Sequence, residues 1–139
     1  MKKIIASGPV IVEGGRLLII QDDKDDFYKL PGGTVREKDS LEDTCLRELE
    51  EETGYKGRIV KKLHTIKLNK NPQTKEKMKI ELHHYKCELI NHPENYKPFK
   101  HNGHKVEWVY LYKLVEGQYL LAPNIYQLIL KNDINADIE

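Results

Sequence analysis

Short apolar runs separated by turn residues predict a series of β-strands along the chain. The first two cover residues 4–12 and 17–21, and the segment Glu13-Gly14-Gly15-Arg16 between them has the composition of a hairpin turn. The second strand is almost continuously apolar, which is typical of a strand covered on both faces. Further strands are predicted at residues 56–68, 78–89 and 106–111.

The segment from residue 30 to residue 55 changes to the spacing of a helix. Its apolar stripe recurs at i, i+4 and i+8 and consists of Leu41, Cys45 and Leu49. Ser40 is placed as the N-cap, and Gly54 suits the position after the last turn. The segment therefore predicts a helix of about four turns, preceded by a Pro-Gly-Gly turn and a polar loop.

A second helix is predicted from Pro123 to residue 131, with a buried stripe formed by Ile125, Leu128 and Ile129. The order of elements is not the regular alternation of a doubly wound sheet, so the pattern alone predicts a mixed α/β fold. A chain of 139 residues suits one domain covering residues 1–139, with residues 132–139 as a frayed tail.

Composition narrows the functional classes. The formal net charge is only +1, so the charge balance predicts no general attraction to nucleic acid or to a membrane, and no segment is long enough to cross a bilayer. The two cysteines, Cys45 and Cys87, lack metal or redox spacing, which favours a reducing, cytoplasmic setting. The four aspartates within residues 22–26 could form a metal site, but a solvated connection is the favoured interpretation.

The predicted first helix ends in an unusual cluster of four carboxylates, Glu48, Glu50, Glu51 and Glu52. Glu48 and Glu52 repel each other at i,i+4, and all four lie where the helix dipole disfavours negative charge. At 100° per residue, Glu48, Glu51 and Glu52 share one arc beside the apolar stripe, whereas Glu50 points away. These three could share a hard cation such as Mg²⁺, and the alternative is a solvated acidic face.

Two later segments carry other candidate chemistry. Residues 61–79 contain seven lysines and one acid, Glu76. This excess of positive charge favours a polyanionic ligand, and the alternative is that the lysines prevent an edge strand from pairing with other chains and keep the surface soluble. Residues 91–105 form a long irregular loop with His92, His101 and His104. A zinc site from these histidines is conceivable, although their spacing fits no recognised ligand pattern.

The stretch from residue 33 to residue 55 resembles the signature of the Nudix hydrolases, G-x5-E-x7-R-E-U-x-E-E-x-G-U, with every spacing matched. Two positions depart from it, since Asp39 replaces the usual Glu and Tyr55 the usual aliphatic residue. The matching positions are Gly33, Asp39, Arg47, Glu48, Leu49, Glu51, Glu52, Gly54 and Tyr55. The resemblance implies an α/β/α sandwich around a mixed β-sheet, and hydrolysis of phosphoanhydride bonds in nucleoside diphosphate derivatives with Mg²⁺ or Mn²⁺.

The resemblance also implies roles for individual residues. Glu51 and Glu52 are expected to bind the metal, Glu48 to bind it or to take the proton from water, and Arg47 to position a glutamate. Gly32 and Gly33 let the backbone approach the site and contribute to substrate binding. Asp39 and Gly54 would support the catalytic helix from either end.

The group that activates water is left open, because residues 97–105 contain no carboxylate where many Nudix enzymes have a glutamate. We rank Glu48 first as the candidate base, Glu107 second and His104 third. Lys100, in the same loop, is expected to bind substrate phosphate.

The substrate is also left open. Nucleoside triphosphates and dinucleoside polyphosphates are favoured over ADP-ribose, for which Pro72 is a weak indication, and over nucleotide sugars. An RNA-end pyrophosphohydrolase and a non-catalytic nucleotide sensor are further alternatives, although nucleic acid is the less expected partner. A homodimer is possible.

Overall fold

The first predicted strand is divided between two β-sheets. In the computed structural model, which describes residues 2–135, β1 (Lys3–Val10) belongs to one sheet and β2 (Val12–Glu13) to the other. β2 forms the predicted hairpin with β3 (Arg16–Asp22), and both turn residues, Gly14 and Gly15, have positive φ. A two-residue turn of this kind requires positive φ at both positions, which explains the two glycines.

The remaining elements follow in the order of the chain. They are β4 (Gly33–Thr34), α1 (Leu41–Thr53), β5 (Gly57–Lys62), β6 (Ile66–Lys70), β7 (Lys77–Leu89), β8 (Phe99–His101), β9 (His104–Tyr110), α2 (Leu111–Val115) and α3 (Pro123–Leu130). The strand predicted over residues 56–68 is thus two strands, β5 and β6. They pair with different halves of the long strand β7, and Leu63 between them donates its backbone N–H to His84.

One sheet is mixed and the other is antiparallel. The mixed sheet has the order β4-β1-β7-β5, with β6 also paired to β7, and its β1 and β7 run parallel. The second sheet has the order β2-β3-β9-β8. The predicted mixed α/β fold with a mixed sheet is therefore confirmed.

Helices cover the sheets from two sides and divide the core into two clusters. Cys45 and Leu49 of α1 pack with one set of side chains from β3, β7 and β9, and Ile125 and Leu128 of α3 pack with the other. Successive residues of β3 point alternately into these two clusters, so its apolar run is buried on both faces as predicted. Trp108 of β9 lies in the α1 cluster.

The predicted caps of α1 are confirmed. Ser40 Oγ accepts a hydrogen bond from the backbone N–H of Asp43 at 2.9 Å, and Gly54 adopts the left-handed conformation with φ +81°. These contacts fix both ends of the helix that carries the carboxylate cluster.

The prediction of a frayed tail from residue 132 is wrong for the part that the structure describes. Ile134 is buried against the α3 cluster, and Asp133 accepts hydrogen bonds from the backbone N–H and Nδ1 of His64, both at 2.8 Å. Residues 136–139 of the predicted tail lie outside the described residues. Among residues 2–135, no helix is both long and apolar enough to traverse a membrane.

Candidate active site

A glycine-rich loop lies directly against β1 at the entrance to the site. A side chain at Gly8 would overlap the carbonyl oxygen of Pro31, and one at Gly32 would come within 3.0 Å of the carbonyl oxygen of Ser7. Ser7 itself is buried and donates its hydroxyl to the carbonyl of Leu41 at 2.6 Å, the first residue of α1. Ser7 and Gly8, which the sequence analysis did not identify, thus join the strand, the loop and the helix.

The two glycines of the Pro-Gly-Gly turn each touch one predicted carboxylate. The backbone N–H of Gly32 donates to Glu52 Oε1 at 2.7 Å. At Gly33, a Cβ would lie 2.5 Å from the carboxyl carbon of Glu48, so the position must be glycine for that carboxylate to remain in place. The loop therefore brings its backbone against two of the three carboxylates.

Arg47 lies among the remaining acidic groups of the predicted site. Its Nη1 is 3.0 Å from Glu48 Oε1 and 3.4 Å from the Glu51 carboxylate, and its Nη2 is 3.6 Å from Asp39 Oδ2. A single guanidinium thus offsets three negative charges. Asp39, the shorter replacement for the usual Glu, lies beside this guanidinium.

Glu52 is the most deeply buried of the predicted site residues that are charged. Its side chain is 9% exposed, and burial, followed by repulsion from Glu48, raises its pKa to about 8 although the Gly32 hydrogen bond opposes the shift. Within the described part of the chain, Oε2 of Glu52 accepts no hydrogen bond. A cation placed beside this carboxylate would strongly stabilise its ionised form, because an unpaired charge is costly to bury.

His104, ranked third among the candidate bases, faces Glu52 and is held by Asp22, which the sequence analysis did not place in the site. His104 Nδ1 is 2.5 Å from Asp22 Oδ1, and His104 Nε2 is 3.8 Å from Glu52 Oε2. Lys29 donates to the other Asp22 oxygen at 2.8 Å. Burial alone would raise the pKa of Asp22, but Lys29 and His104 together lower it. Asp22 is thus a structured site residue and not part of a solvated connection.

Glu107 does not lie with the carboxylates of α1. It pairs with Ile19 and points to the α3 side of the sheet, where Lys105 Nζ is 3.9 Å from its carboxylate and Tyr28 is adjacent. The ranking of Glu107 above His104 is therefore not supported by position. Successive side chains of β9 point to opposite faces of the sheet, so Glu107 points away from the face on which Trp108 packs with α1.

The other predicted residues of the late loop are dispersed. Lys100 is largely exposed, with its Nζ 3.6 Å from Asp23 Oδ1. His92 bonds to Glu13, and His101 packs against Gly54. The three histidines considered for zinc thus have separate partners.

A cavity of about 250 Å³ begins at the glycine loop. Its lining includes Gly32 and Gly33, the apolar side chains of Ile80 and Leu82 of β7, and Asn124 of α3. The cavity thus adjoins the same two glycines that contact Glu48 and Glu52.

Asn124 is held in one orientation by a buried histidine. His84 Nδ1 lies 2.9 Å from the carbonyl of His64, and its Nε2 is 3.0 Å from Asn124 Nδ2. Burial lowers the pKa of His84 to about 4, so at neutral pH Nδ1–H donates and Nε2 accepts from the amide. The Asn124 carbonyl oxygen accepts no hydrogen bond within the described residues.

The donor groups fit a hard divalent cation in their chemistry. Among residues 2–135, no three His, Cys, Asp or Glu side chains already converge on one point that could hold an ion. The candidates are nevertheless oxygen donors around the largely buried carboxylate of Glu52, and carboxylate oxygen is the ligand that Mg²⁺ and Mn²⁺ prefer.

Comparison with known protein families gives one match. The chain matches the family model described as NUDIX domain over residues 1–129. The comparison with curated protein sequences gives no match.

Several solved structures have the same fold. A NUDIX hydrolase from Nitrosomonas europaea aligns with a TM-score of 0.76 and 16% identity, over 99% of this chain and 96% of that one. The MutT protein from Methanosarcina mazei Go1 aligns with a TM-score of 0.70 and 22% identity, over 94% of this chain and 92% of that one. A UDP-X diphosphatase aligns with a TM-score of 0.70 and 18% identity, over 97% of this chain and 66% of that one. At these identities the likeness is one of fold.

Proposed function

The chain belongs to the Nudix hydrolase family, and from this premise we propose that it cleaves a phosphoanhydride bond in a nucleoside triphosphate, with Mg²⁺ or Mn²⁺ as cofactor. The observation that carries the proposal is the position of the cavity. Gly32 and Gly33 line it, and the same residues contact Glu52 and Glu48. A nucleoside in the cavity would direct its phosphates toward the carboxylates.

The cavity supports a single nucleoside as its occupant. Its volume of about 250 Å³ is below the ~300–1,000 Å³ of pockets that enclose drug-sized ligands. The carbonyl oxygen of Asn124 offers an acceptor to an N–H group of a base, because His84 engages the amide nitrogen. Apolar surface from Ile80 and Leu82 would cover the ring.

The acidic residues would hold the cation. Glu51 and Glu52 are proposed as its ligands, with Glu48 as a further ligand or as the base that takes a proton from the attacking water. When bound, the cation neutralises phosphate oxygens and lowers the pKa of water. Arg47 positions Glu48 and Glu51 through its guanidinium, and Asp39 supports Arg47 from the preceding loop.

A nucleotide sugar or ADP-ribose is the second candidate substrate. Pro72 and Leu68 both line the cavity and add apolar surface to it. One of the similar folds is described as a UDP-X diphosphatase. This candidate requires the cut to release a nucleoside monophosphate and a sugar phosphate.

A substrate panel with Mg²⁺ tests the proposal. Nucleoside triphosphates, dinucleoside polyphosphates, ADP-ribose, nucleotide sugars and a 5′-triphosphorylated RNA would be compared, with products identified by ³¹P NMR. The proposal predicts the highest kcat/KM for a triphosphate. A higher value for ADP-ribose or a nucleotide sugar would select the second candidate, and binding of nucleotides without turnover would indicate a sensor.

A further inference from the structure

His104 links Asp22 at the end of β3 to Glu52 of α1. The His104 side chain is 19% exposed, and its two nitrogens face two different carboxylates. Nδ1 is within hydrogen-bonding distance of Asp22, whereas the 3.8 Å between Nε2 and Glu52 Oε2 is too long for a hydrogen bond.

The contact with Asp22 determines which ring nitrogen carries the proton. An ionised carboxylate only accepts hydrogen bonds, and Asp22 already accepts one from Lys29. Nδ1 of His104 is therefore the donor, which in the neutral ring leaves the lone pair on Nε2, the nitrogen 3.8 Å from Glu52 Oε2. A histidine oriented by a carboxylate in this way is the usual arrangement of a metal-ligating imidazole.

The distance between the two facing atoms suits a shared ion. Metal–nitrogen and metal–oxygen bonds to borderline cations are about 2.1 Å, so one ion can bridge two donors separated by less than about 4.2 Å. The observed 3.8 Å is within this limit. Glu52 Oε2 belongs to a carboxylate whose side chain is only 9% exposed.

We propose that His104 is a metal ligand through Nε2 and shares a divalent ion with Glu52. The inference rests on the proposed function, since it takes Glu52 as a ligand. Imidazole suits Zn²⁺ and its transition-metal neighbours, whereas Mg²⁺ takes oxygen ligands. His104 thus raises the affinity of this site for ions that accept imidazole, such as Co²⁺ or Zn²⁺, relative to its affinity for Mg²⁺.

The direct test is pulsed EPR of the full chain loaded with Mn²⁺. A directly bound imidazole gives a ¹⁴N coupling, and the wild-type protein is expected to show it. His104→Gln should abolish the coupling, and His92→Gln, which removes an exposed histidine that bonds to Glu13, should retain it. Absence of ¹⁴N coupling in the wild-type protein would overturn the proposal without reference to any variant.

Calorimetric titration with Co²⁺ and with Mg²⁺ provides the second readout. His104→Gln should weaken Co²⁺ binding by at least about tenfold, because even the loss of a hydrogen-bond partner of a metal ligand lowers metal affinity by about that factor. The same variant should leave the Mg²⁺ affinity unchanged. Equal weakening of both ions would overturn the proposal, because it would reduce His104 to a positioning group for Glu52. Glu52→Gln should weaken both ions, and if it affects neither, the proposed function fails at its metal site.

Discussion

Replacing Glu52 by Gln should stabilise the metal-free protein at neutral pH. The buried carboxyl has a pKa raised to about 8, above its ordinary value of 4.5, so the folded protein keeps a proton that the unfolded chain releases. Stability that depends on this proton is fully present below pH 4.5 and is lost as the pH rises toward 8. Glutamine keeps the oxygen that accepts from Gly32 and never ionises.

The size of the effect follows from the same linkage. Each pH unit between the two pKa values corresponds to about 1.4 kcal/mol, so the wild-type protein should lose about 3 kcal/mol relative to the variant between pH 4.5 and pH 7. This value is an upper limit because a buried site relaxes when it ionises. A difference of 1–3 kcal/mol would raise the melting temperature by roughly 3–12 °C.

Thermal unfolding in chelator from pH 4.5 to pH 8.5 measures the stability difference between the wild-type protein and Glu52→Gln. The two melting temperatures should be equal at pH 4.5 and diverge as the pH rises, with the higher melting temperature in the variant. Glu51→Gln is the matched control, since its half-exposed side chain changes the same charge with a shift of only a few tenths of a kcal/mol. A Glu52→Gln variant that is less stable at pH 7, or whose difference from wild type is constant with pH, would refute the argument.

Three further changes test other parts of the site. Gly33→Ala should displace the Glu48 carboxylate, because its Cβ would lie 2.5 Å from the carboxyl carbon, and should lower kcat far more than the melting temperature, as kinetics and calorimetry would show. Asp39→Ala should weaken metal binding in a titration while Asp39→Glu retains it, since Asp39 acts through Arg47; unchanged metal dependence in Asp39→Ala would contradict this. Lys100→Ala should raise KM more than it lowers kcat, because this largely exposed lysine would act by contacting the substrate phosphate, and an unchanged KM would remove it from the site.

Helix α1 could be predicted because its signals are local. The Ser40 cap, the apolar stripe and Gly54 all lie within α1 or beside it, and each reports a contact made within a few residues. The placement of Glu48 and Glu52 against the glycine loop followed from the family signature. The depth at which Glu52 is buried did not, since burial depends on elements far away in the chain.

The rest of the site depends on contacts between distant residues. His104 and Asp22 are 82 positions apart, and nothing in either segment marks the other as a partner. The same limit explains the missed pairing of His84 with Asn124 across 40 positions. It also explains the error at the C-terminal turn, where Asp133 is fixed by His64.

Hydrolysis of a nucleoside triphosphate with and without divalent cation tests the central claim most directly. With Mg²⁺ or Mn²⁺, ³¹P NMR should show cleavage of a phosphoanhydride bond by the wild-type protein, and excess chelator should stop it. Glu52→Gln, folded and at saturating metal, should lose several orders of magnitude in kcat. Full activity in that variant, or turnover that persists in chelator, would contradict the account.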